Sequence, residues 1–553
     1  MSVEDLRSSH ELREPSVNRA RAFLHRYFFI FIPLLLLLQG SVADINLPGL
    51  YMDAVNPDYI IVRLLNWNPH IFAWVLPGTC IFNIFPTIQL YYGSLPYYIG
   101  MPVYILLGTG VNAVRIANFI FAALVLSSAA VFLQAFRVRP LIAGFALAAL
   151  ALDPGFLFSF RTQFYITLLP IALVLVSVSC VENGGVSLPR RMSAVAGLLI
   201  GLSIYGYFIY LFLAPAAAAH LWRNVRPSAD RRSQLACWFA GFALGVSPYP
   251  LGFALMFFAT GGLQDFERFL TDSLQNLSVE SSKLSPWQSL QYFVRHVDGM
   301  TRFDGPSQMM LKESYLPFFK NTKHGLLLII PIIYLIASFF FGRDRAGIRL
   351  ISMFFLGMAF LFVIFGDRLW AHHVALTLPL LYLSLALAIE YLGKARPFVG
   401  RATWALTLPL LILAIGNAID RQRLMLDLER TGGVGLASDA IERFAQDSLS
   451  NPDPTFAFFP DWGIFMPFEM VTGGRISLVA DFSPDAARRK LCQGSDALLA
   501  IVNDKGVERL APWIDAVGWG SPEVVVYRQR DDAPVLTSVR WRASAPTHPA
   551  CVS

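Results

Sequence analysis

Stretches of about twenty apolar residues recur along the chain, and the Lys and Arg between them crowd into alternate short loops. In hydrocarbon a backbone N–H or C=O has no water to bond, so a run of this length commits its segment to a spanning helix. Such runs lie near 27–43, 113–136, 140–158, 164–181, 234–258, 325–342, 349–366, 372–392 and 403–418. The stretch 194–222 is too long for one crossing and is flanked by basic loops, so it reads as two short helices turning near Gly206 and Tyr207. The pattern predicts a polytopic α-helical membrane protein of about 11 spans.

Composition agrees: 55% of residues are hydrophobic, 15% are charged and the mean hydropathy is +0.52. A soluble chain of this size carries far more charge. The net charge of +6 is spread over short loops, which describes membrane orientation rather than a nucleic-acid face. The five cysteines have no metal-ligand spacing. Cys492 and Cys551 both fall in the C-terminal region and can pair in an oxidising compartment, whereas Cys180 and Cys237 read as small apolar residues in or beside spans.

The basic loops are Arg137/Arg139, Arg190/Arg191, Arg223 to Arg232, Arg343/Arg345/Arg349 and Lys394/Arg396/Arg401. All share one side with the N-terminal Arg13, Arg19, Arg21 and Arg26, which places the N-terminus in the cytoplasm. Residues 71–91, broken by Pro77, Gly78 and Pro86, form with 97–112 either an extra pair of spans or, the favoured reading, interfacial or re-entrant helices. The first run ends in Ser41-Val42-Ala43, which suits either an uncleaved helix or a signal-peptidase site.

The expected organisation is a cytoplasmic segment 1–26, a transmembrane domain 27–419 with external loops 44–96 and 259–324, and an extracytoplasmic α/β domain 420–553. In the last, strand-like runs Thr455–Phe459, Arg475–Val479, Ala497–Val502 and Glu523–Tyr527 alternate with helical stretches Pro484–Leu491 and Lys505–Val517. No internal repeat or low-complexity tract interrupts the chain.

The first external loop sets three carboxylates, Asp44, Asp53 and Asp58, among Tyr, Asn and Pro within fifteen residues of a membrane surface. One reading is a solvated loop whose acids avoid the cytoplasmic side. The other is a general base tuned by partial desolvation. This layout resembles the GT-C glycosyltransferases, nearest to the protein O-mannosyltransferase and lipid A aminoarabinose transferase branch. Three features follow in that branch's order: Tyr91-Tyr92-Gly93 to Tyr97-Tyr98, Arg115 in Ala113-Val-Arg-Ile-Ala-Asn, and Leu152-Asp-Pro-Gly-Phe-Leu-Phe-Ser-Phe-Arg161-Thr-Gln-Phe-Tyr165.

The resemblance implies sugar transfer, with inversion, from a polyprenyl-phosphate donor to an acceptor hydroxyl on the periplasmic side of a bacterial inner membrane. The acceptor would be a lipid, a polysaccharide or a protein. Asp53 matches the family's base and Asp58 is the second choice. The family pattern often has Glu after this Asp where Ala54 stands here, and residues 64–111 hold no Lys or Arg to match a phosphate-binding lysine. Expected substitutes at the donor phosphate are Arg161, Arg368 with His372 and His373, and Lys323 with His324, against ordinary roles as helix anchors, caps and headgroup contacts. Tyr59, Tyr92 and Tyr165 are the candidate substrate contacts. No metal or other cofactor is indicated, because His372 and His373 diverge by about 100° on a regular helix. Asp461-Trp462 reads as packing and a helix cap rather than a sugar platform. The competing readings are a transporter or flippase of a lipid-linked saccharide and a non-catalytic scaffold. Spans nearly free of charge and the missing repeat rank the transporter lower.

Overall fold

The computed structural model describes residues 29–56, 58–89, 92–276, 284–311, 317–329, 331–332, 346–395, 403–451, 453–503, 507–543 and 551. Among these, five helices are long and apolar enough to cross a membrane: Val111–Ala135, Phe164–Ser187, Arg231–Thr260, Ala346–Arg368 and Ala371–Lys394. Shorter apolar helices add Phe29–Val42 (α1), Leu95–Leu107 (α2) and Pro140–Leu152 (α4), with Val111–Ala135 as α3 and Phe164–Ser187 as α5. The expected run 325–342 lies largely outside the described residues.

The paired short helices form as expected. Arg190–Gly206 (α6) stops at Tyr207, whose extended backbone breaks the helical ladder, and Ala214–Val225 (α7) follows after one tight turn. The next helix, Arg231–Thr260 (α8), packs on α6 through two small-residue pairs. A Cβ on Gly197 would sit 1.9 Å from the Trp238 carbonyl, and one on Gly241 would sit 2.0 Å from that of Ala194. Gly201 and Gly245 repeat this contact one turn along. Helices in lipid gain little from burying apolar surface, so close backbone approach through glycine is what holds such a pair.

Residues 71–91 depart from the expected helices. Their described part forms two short hairpins, Cys80–Ile81 (β1) with Phe85–Pro86 (β2) and Ile88–Gln89 (β3) with Tyr92–Gly93 (β4). Pro77, Pro86 and the turn at Gly78 deny the segment a helical ladder. The tip descends beside the bundle, with Gly252 of α8 against Ile88 and the Tyr205 hydroxyl donating to the Thr87 carbonyl at 2.9 Å. Among the described residues of 71–110, α2 is the helix and the rest of the expected helical segment is hairpin and turn.

Ion pairs join the basic loops at one end of the bundle. Arg139 bonds Glu390 at 2.9 Å, Lys394 reaches the same carboxylate at 3.3 Å, and Arg190 pairs with Asp230 at 3.0 Å. Further helices of the bundle include Leu263–Asn276 (α9), Pro286–Arg302 (α10), Ala346–Phe365 (α11), Thr377–Ala395 (α12) and Thr403–Thr431 (α13). Helix α13 runs on past residue 420, so the α/β fold begins about a dozen residues later than the composition shift suggests.

That fold is a five-stranded mixed sheet in the order β6-β5-β7-β9-β8. Its strands are Thr455–Phe458 (β5), Ser477–Val479 (β6), Asp496–Val502 (β7), Glu523–Arg528 (β8) and Pro534–Trp541 (β9). Strand β7, Asp-Ala-Leu-Leu-Ala-Ile-Val, is buried along its whole length, as a strand covered on both faces requires. Helices Pro484–Cys492 (α16) and Leu510–Val517 (α17) cover one face, and Ala440–Ser450 (α14) and Phe465–Thr472 (α15) lie towards the other. Strand β9 was not anticipated, because Thr, Ser and Arg interrupt its apolar pattern. Cys492 and Cys551 form a disulfide, Cα to Cα 5.5 Å, that closes 59 residues of chain. Loop-closure entropy makes a bridge of that span worth about 4 kcal/mol. Mild reduction of the folded protein is thus expected to lower this domain's chemical-denaturation midpoint, and a midpoint unmoved by full reduction would refute that.

Candidate active site at the seam between bundle and domain

The long loop after α1 is trapped between the bundle and the C-terminal domain. Leu50 N donates to Glu442 Oε1 of α14 at 2.9 Å, and Asn66 Nδ2 donates to the Gly473 carbonyl at 2.9 Å. A Cβ on Gly49 would lie 2.2 Å from the Ser438 carbonyl, so only glycine lets the two backbones pass here. Tyr59 and Phe72 pack edge-on against Phe465, and Trp74 against Trp462 with centroids 5.6 Å apart. Asp461 takes the Val502 N–H and the Arg509 guanidinium, so Asp461-Trp462 serves packing.

Within this loop the three carboxylates have different surroundings. Asp53 sits in a 3-10 turn, Met52–Ala54, whose flanking residues are fully buried. At about 120° per residue, a turn anchored by its two neighbours must aim the middle side chain the other way. Asp53 is accordingly partly exposed, and burial raises its pKa while a hydrogen bond from Tyr51 opposes the shift. Asp58 is wholly buried, takes the Tyr104 hydroxyl at 3.2 Å and the Tyr165 hydroxyl at 3.4 Å, and is pushed up to about 7 by burial. Its other oxygen, Oδ1, has no hydrogen-bond partner among the described residues. Asp58 thus faces two tyrosine hydroxyls and no open surface.

The expected cation set separates into two groups. His372 and His373 lie in a short 3-10 segment, Ala371–Val374, with ring centroids 3.9 Å apart. The divergence expected on a regular helix is therefore absent. His372 Nδ1 is 3.4 Å from Gln163 Nε2, and His373 Nε2 is 3.1 Å from the Tyr207 hydroxyl. Tyr207 stacks on Tyr92, and Arg368 lies a few residues upstream, partly exposed. Tyr165, two residues from Gln163, donates to the Asn56 carbonyl at 2.9 Å and so joins this cluster to the Asp58 loop.

Arg161, Lys323 and His324 are engaged elsewhere. Arg161 directs its terminal nitrogens at the carbonyls of Gly40, Ser41, Ala43, Asp44 and Leu47, capping the end of α1. Burial and the neighbouring Arg115 pull its pKa down to about 9. Lys323 is buried against Asp153, and His324 pairs with Asp298, which also holds Arg302. In this arrangement carbonyls and carboxylates of the protein engage all three side chains. Tyr59 gives its hydroxyl to the Trp74 carbonyl at 3.0 Å and packs edge-on against Phe465 at the seam.

Residues not anticipated include Arg63, Glu442 and Glu469. Arg63 is buried and donates to the carbonyls of Ile71 and Asn83, holding the hairpin segment. Glu469 of α15 is buried with both oxygens unbonded among the described residues, and burial lifts it to about 8 against the opposing pull of Arg63. Glu442 rises to about 7 by burial, opposed by Arg115. Nothing in their local sequence marks them. Among the described residues no group of three or more His, Cys, Asp or Glu is placed to hold a metal ion.

Besides Asp53, three raised carboxyls make the seam pH-sensitive. A carboxyl whose folded pKa exceeds its unfolded value binds its proton more tightly when folded, so its contribution is full below about 4 and lost as pH climbs through the folded value. For Asp58, Glu442 and Glu469 that window runs up to about 8. The thermal midpoint is expected to fall across this range, and Glu469→Gln should flatten the upper part. An equally steep profile in that variant would exclude Glu469 as a contributor.

A helical bundle with a mixed α/β domain clamped over its first long loop has a counterpart in two solved structures, which share the fold nearly end to end. ArnT from Cupriavidus metallidurans bound to undecaprenyl phosphate superposes with TM-score 0.57 at 14% identity, covering 93% of this chain and 97% of that one. The apo state of the same protein gives 0.58 at 11% identity, with 94% and 98% covered. The mycobacterial arabinofuranosyltransferase AftD matches at 0.43, too low to bear on the fold. No protein-family model and no curated protein matches the sequence.

Proposed function

We propose that this chain is a bacterial inner-membrane glycosyltransferase that moves a sugar from a polyprenyl-phosphate donor to an acceptor hydroxyl on the periplasmic side, with inversion. The observation that carries the reading is Asp53: a partly exposed carboxylate, its pKa raised by burial, at the seam of a fold shared with ArnT across more than nine-tenths of the chain. That neighbour's structure holds undecaprenyl phosphate, which supports a polyprenyl phosphate as the lipid partner here. The basic loops at the opposite end of the bundle and the Cys492–Cys551 bridge support a periplasmic C-terminal domain.

In this reading Asp53 takes the acceptor's proton as the oxygen attacks the anomeric carbon and the polyprenyl phosphate departs. The His372–His373–Gln163–Tyr207 cluster, with Arg368, supplies hydrogen-bond donors for the leaving phosphate. Asp58, through Tyr104 and Tyr165, holds the loop in register with that cluster. The test is purified protein in lipid given a panel of polyprenyl-phosphate sugars. Sugar should leave one of them and appear on an acceptor. Movement of an intact lipid-linked saccharide across the bilayer, with no transfer from any donor, would replace this reading by the transporter.

A further inference from the structure

Away from the seam, the C-terminal domain carries an open groove of about 390 Å³ between α14 and the strands β8 and β9. Its size falls in the range of small-molecule sites, about 300–1,000 Å³. The strand pairing puts Leu498 opposite Arg540, Arg540 opposite Glu523, and Ser538 opposite Val525. With side chains alternating between faces, these residues all line one side of the sheet. The floor is thus apolar at Leu498 and Val525 and polar at its edges, with the Tyr527 ring along one wall.

The charges around it are not equally spent. Asp447 accepts the Tyr527 hydroxyl. Arg542 reaches Asn451 at 2.9 Å, Asp496 at 3.2 Å and Glu523 at 3.5 Å. Arg540, between them and partly exposed, makes no side-chain hydrogen bond or ion pair to any described residue. A guanidinium left open over a groove of carboxylates, hydroxyls and the rings of Phe444 and Tyr527 suits a ligand that is rich in hydroxyls and carries an anion.

We propose that this groove binds an acidic saccharide, with Arg540 taking its carboxylate or phosphate and Asp447, Glu523 and Ser538 taking its hydroxyls. The groove's distance from the seam gives it a place in the reaction. Glu442 of α14 touches Leu50 of the first loop, and Asn451, at the groove, is nine residues on, about 14 Å along a helix axis. An acceptor held there presents a remote part to the groove while its reacting hydroxyl lies at Asp53, so that distant binding energy positions the chemistry. That placement rests on the transferase reading; the binding does not.

The test uses the full chain in lipid nanodiscs with three probes: digalacturonate, the neutral disaccharide galactobiose, and inorganic phosphate, followed by calorimetry and ligand-observed NMR. Digalacturonate should bind about tenfold or more tighter than either of the others, the scale of one charge-assisted contact plus the sugar hydroxyls. Arg540→Gln should lose about that factor. Ser450→Trp, a change at an exposed groove-lining position, should block binding while leaving the thermal midpoint in place. Asp53→Asn should bind as the parent does. No digalacturonate binding by the parent, undiminished binding by both groove variants, or phosphate binding as tightly as the sugar would each overturn the proposal. Loss of transfer in Asp53→Asn with groove binding intact separates failure of the one site from failure of the other.

Discussion

Asp53→Asn is expected to lower the turnover of sugar transfer by about 10²- to 10⁴-fold, the range a positioned general base contributes. The variant should insert, fold and melt like the parent, because Asp53 is a partly exposed side chain on a turn anchored by Met52 and Ala54. Asn keeps the shape and can still accept the hydrogen bond from Tyr51, but it cannot take a proton at neutral pH. Turnover should therefore fall with little change in donor KM. Asp58→Asn is the internal control. It leaves the tyrosine contacts possible while removing a buried acid, so its effect should appear in stability as well as rate. Full activity in a correctly folded Asp53→Asn protein would remove Asp53 from the chemistry, and a larger rate loss in Asp58→Asn without destabilisation would move the base there.

Lys323→Met is expected to destabilise the protein by about 3–5 kcal/mol, the usual result of stranding one member of a buried ion pair. Lys323 Nζ lies 2.6 Å and 2.7 Å from the two oxygens of Asp153, and both side chains are almost fully buried. Asp153 also accepts the Gly155 N–H at 2.7 Å and the Tyr382 hydroxyl at 2.7 Å. Asn417 completes the network, donating to Tyr382 at 2.6 Å and to the Ala149 carbonyl at 2.8 Å. One carboxylate thus joins the end of α4, helices α12 and α13, and the short segment Lys320–His324. Replacing both charges, as Lys323→Met with Asp153→Asn, should recover much of the loss, because no buried charge then lacks a partner. Thermal unfolding in a fixed lipid mixture reads the comparison. A single variant within about 1 kcal/mol of the parent would show the pair to be solvated.

Much of the fold was legible because lipid imposes it locally. Apolar length marks α3, α5, α8, α11 and α12, and the turn at Tyr207 follows from a run too long for one crossing. The hairpins at 80–93 were misread because apolar residues broken by Pro and Gly look alike whether they form short helices or tight strands. Strand β9 was missed because it lies inside the sheet between β7 and β8, where neighbours supply the burial that its own pattern does not announce. Loop position singles out Asp53 as the candidate base, and the structure sets His372, His373 and, through Tyr207, Tyr92 in one cluster that Tyr165 joins to the Asp58 loop.

Residue type and order alone determined the membrane class, the clustering of basic loops and the presence of a folded domain after the last span, since each depends on chain-local hydrophobicity and charge. The tertiary structure alone decided which polar residues are free to act. Arg161 and Lys323 carry the right charge for a phosphate, yet carbonyls and Asp153 occupy them. Glu469 and Arg540 carry no local mark, yet burial and an open groove single them out. Whether a charged side chain is spent or available depends on partners more than a hundred residues away, and sequence spacing does not encode those distances.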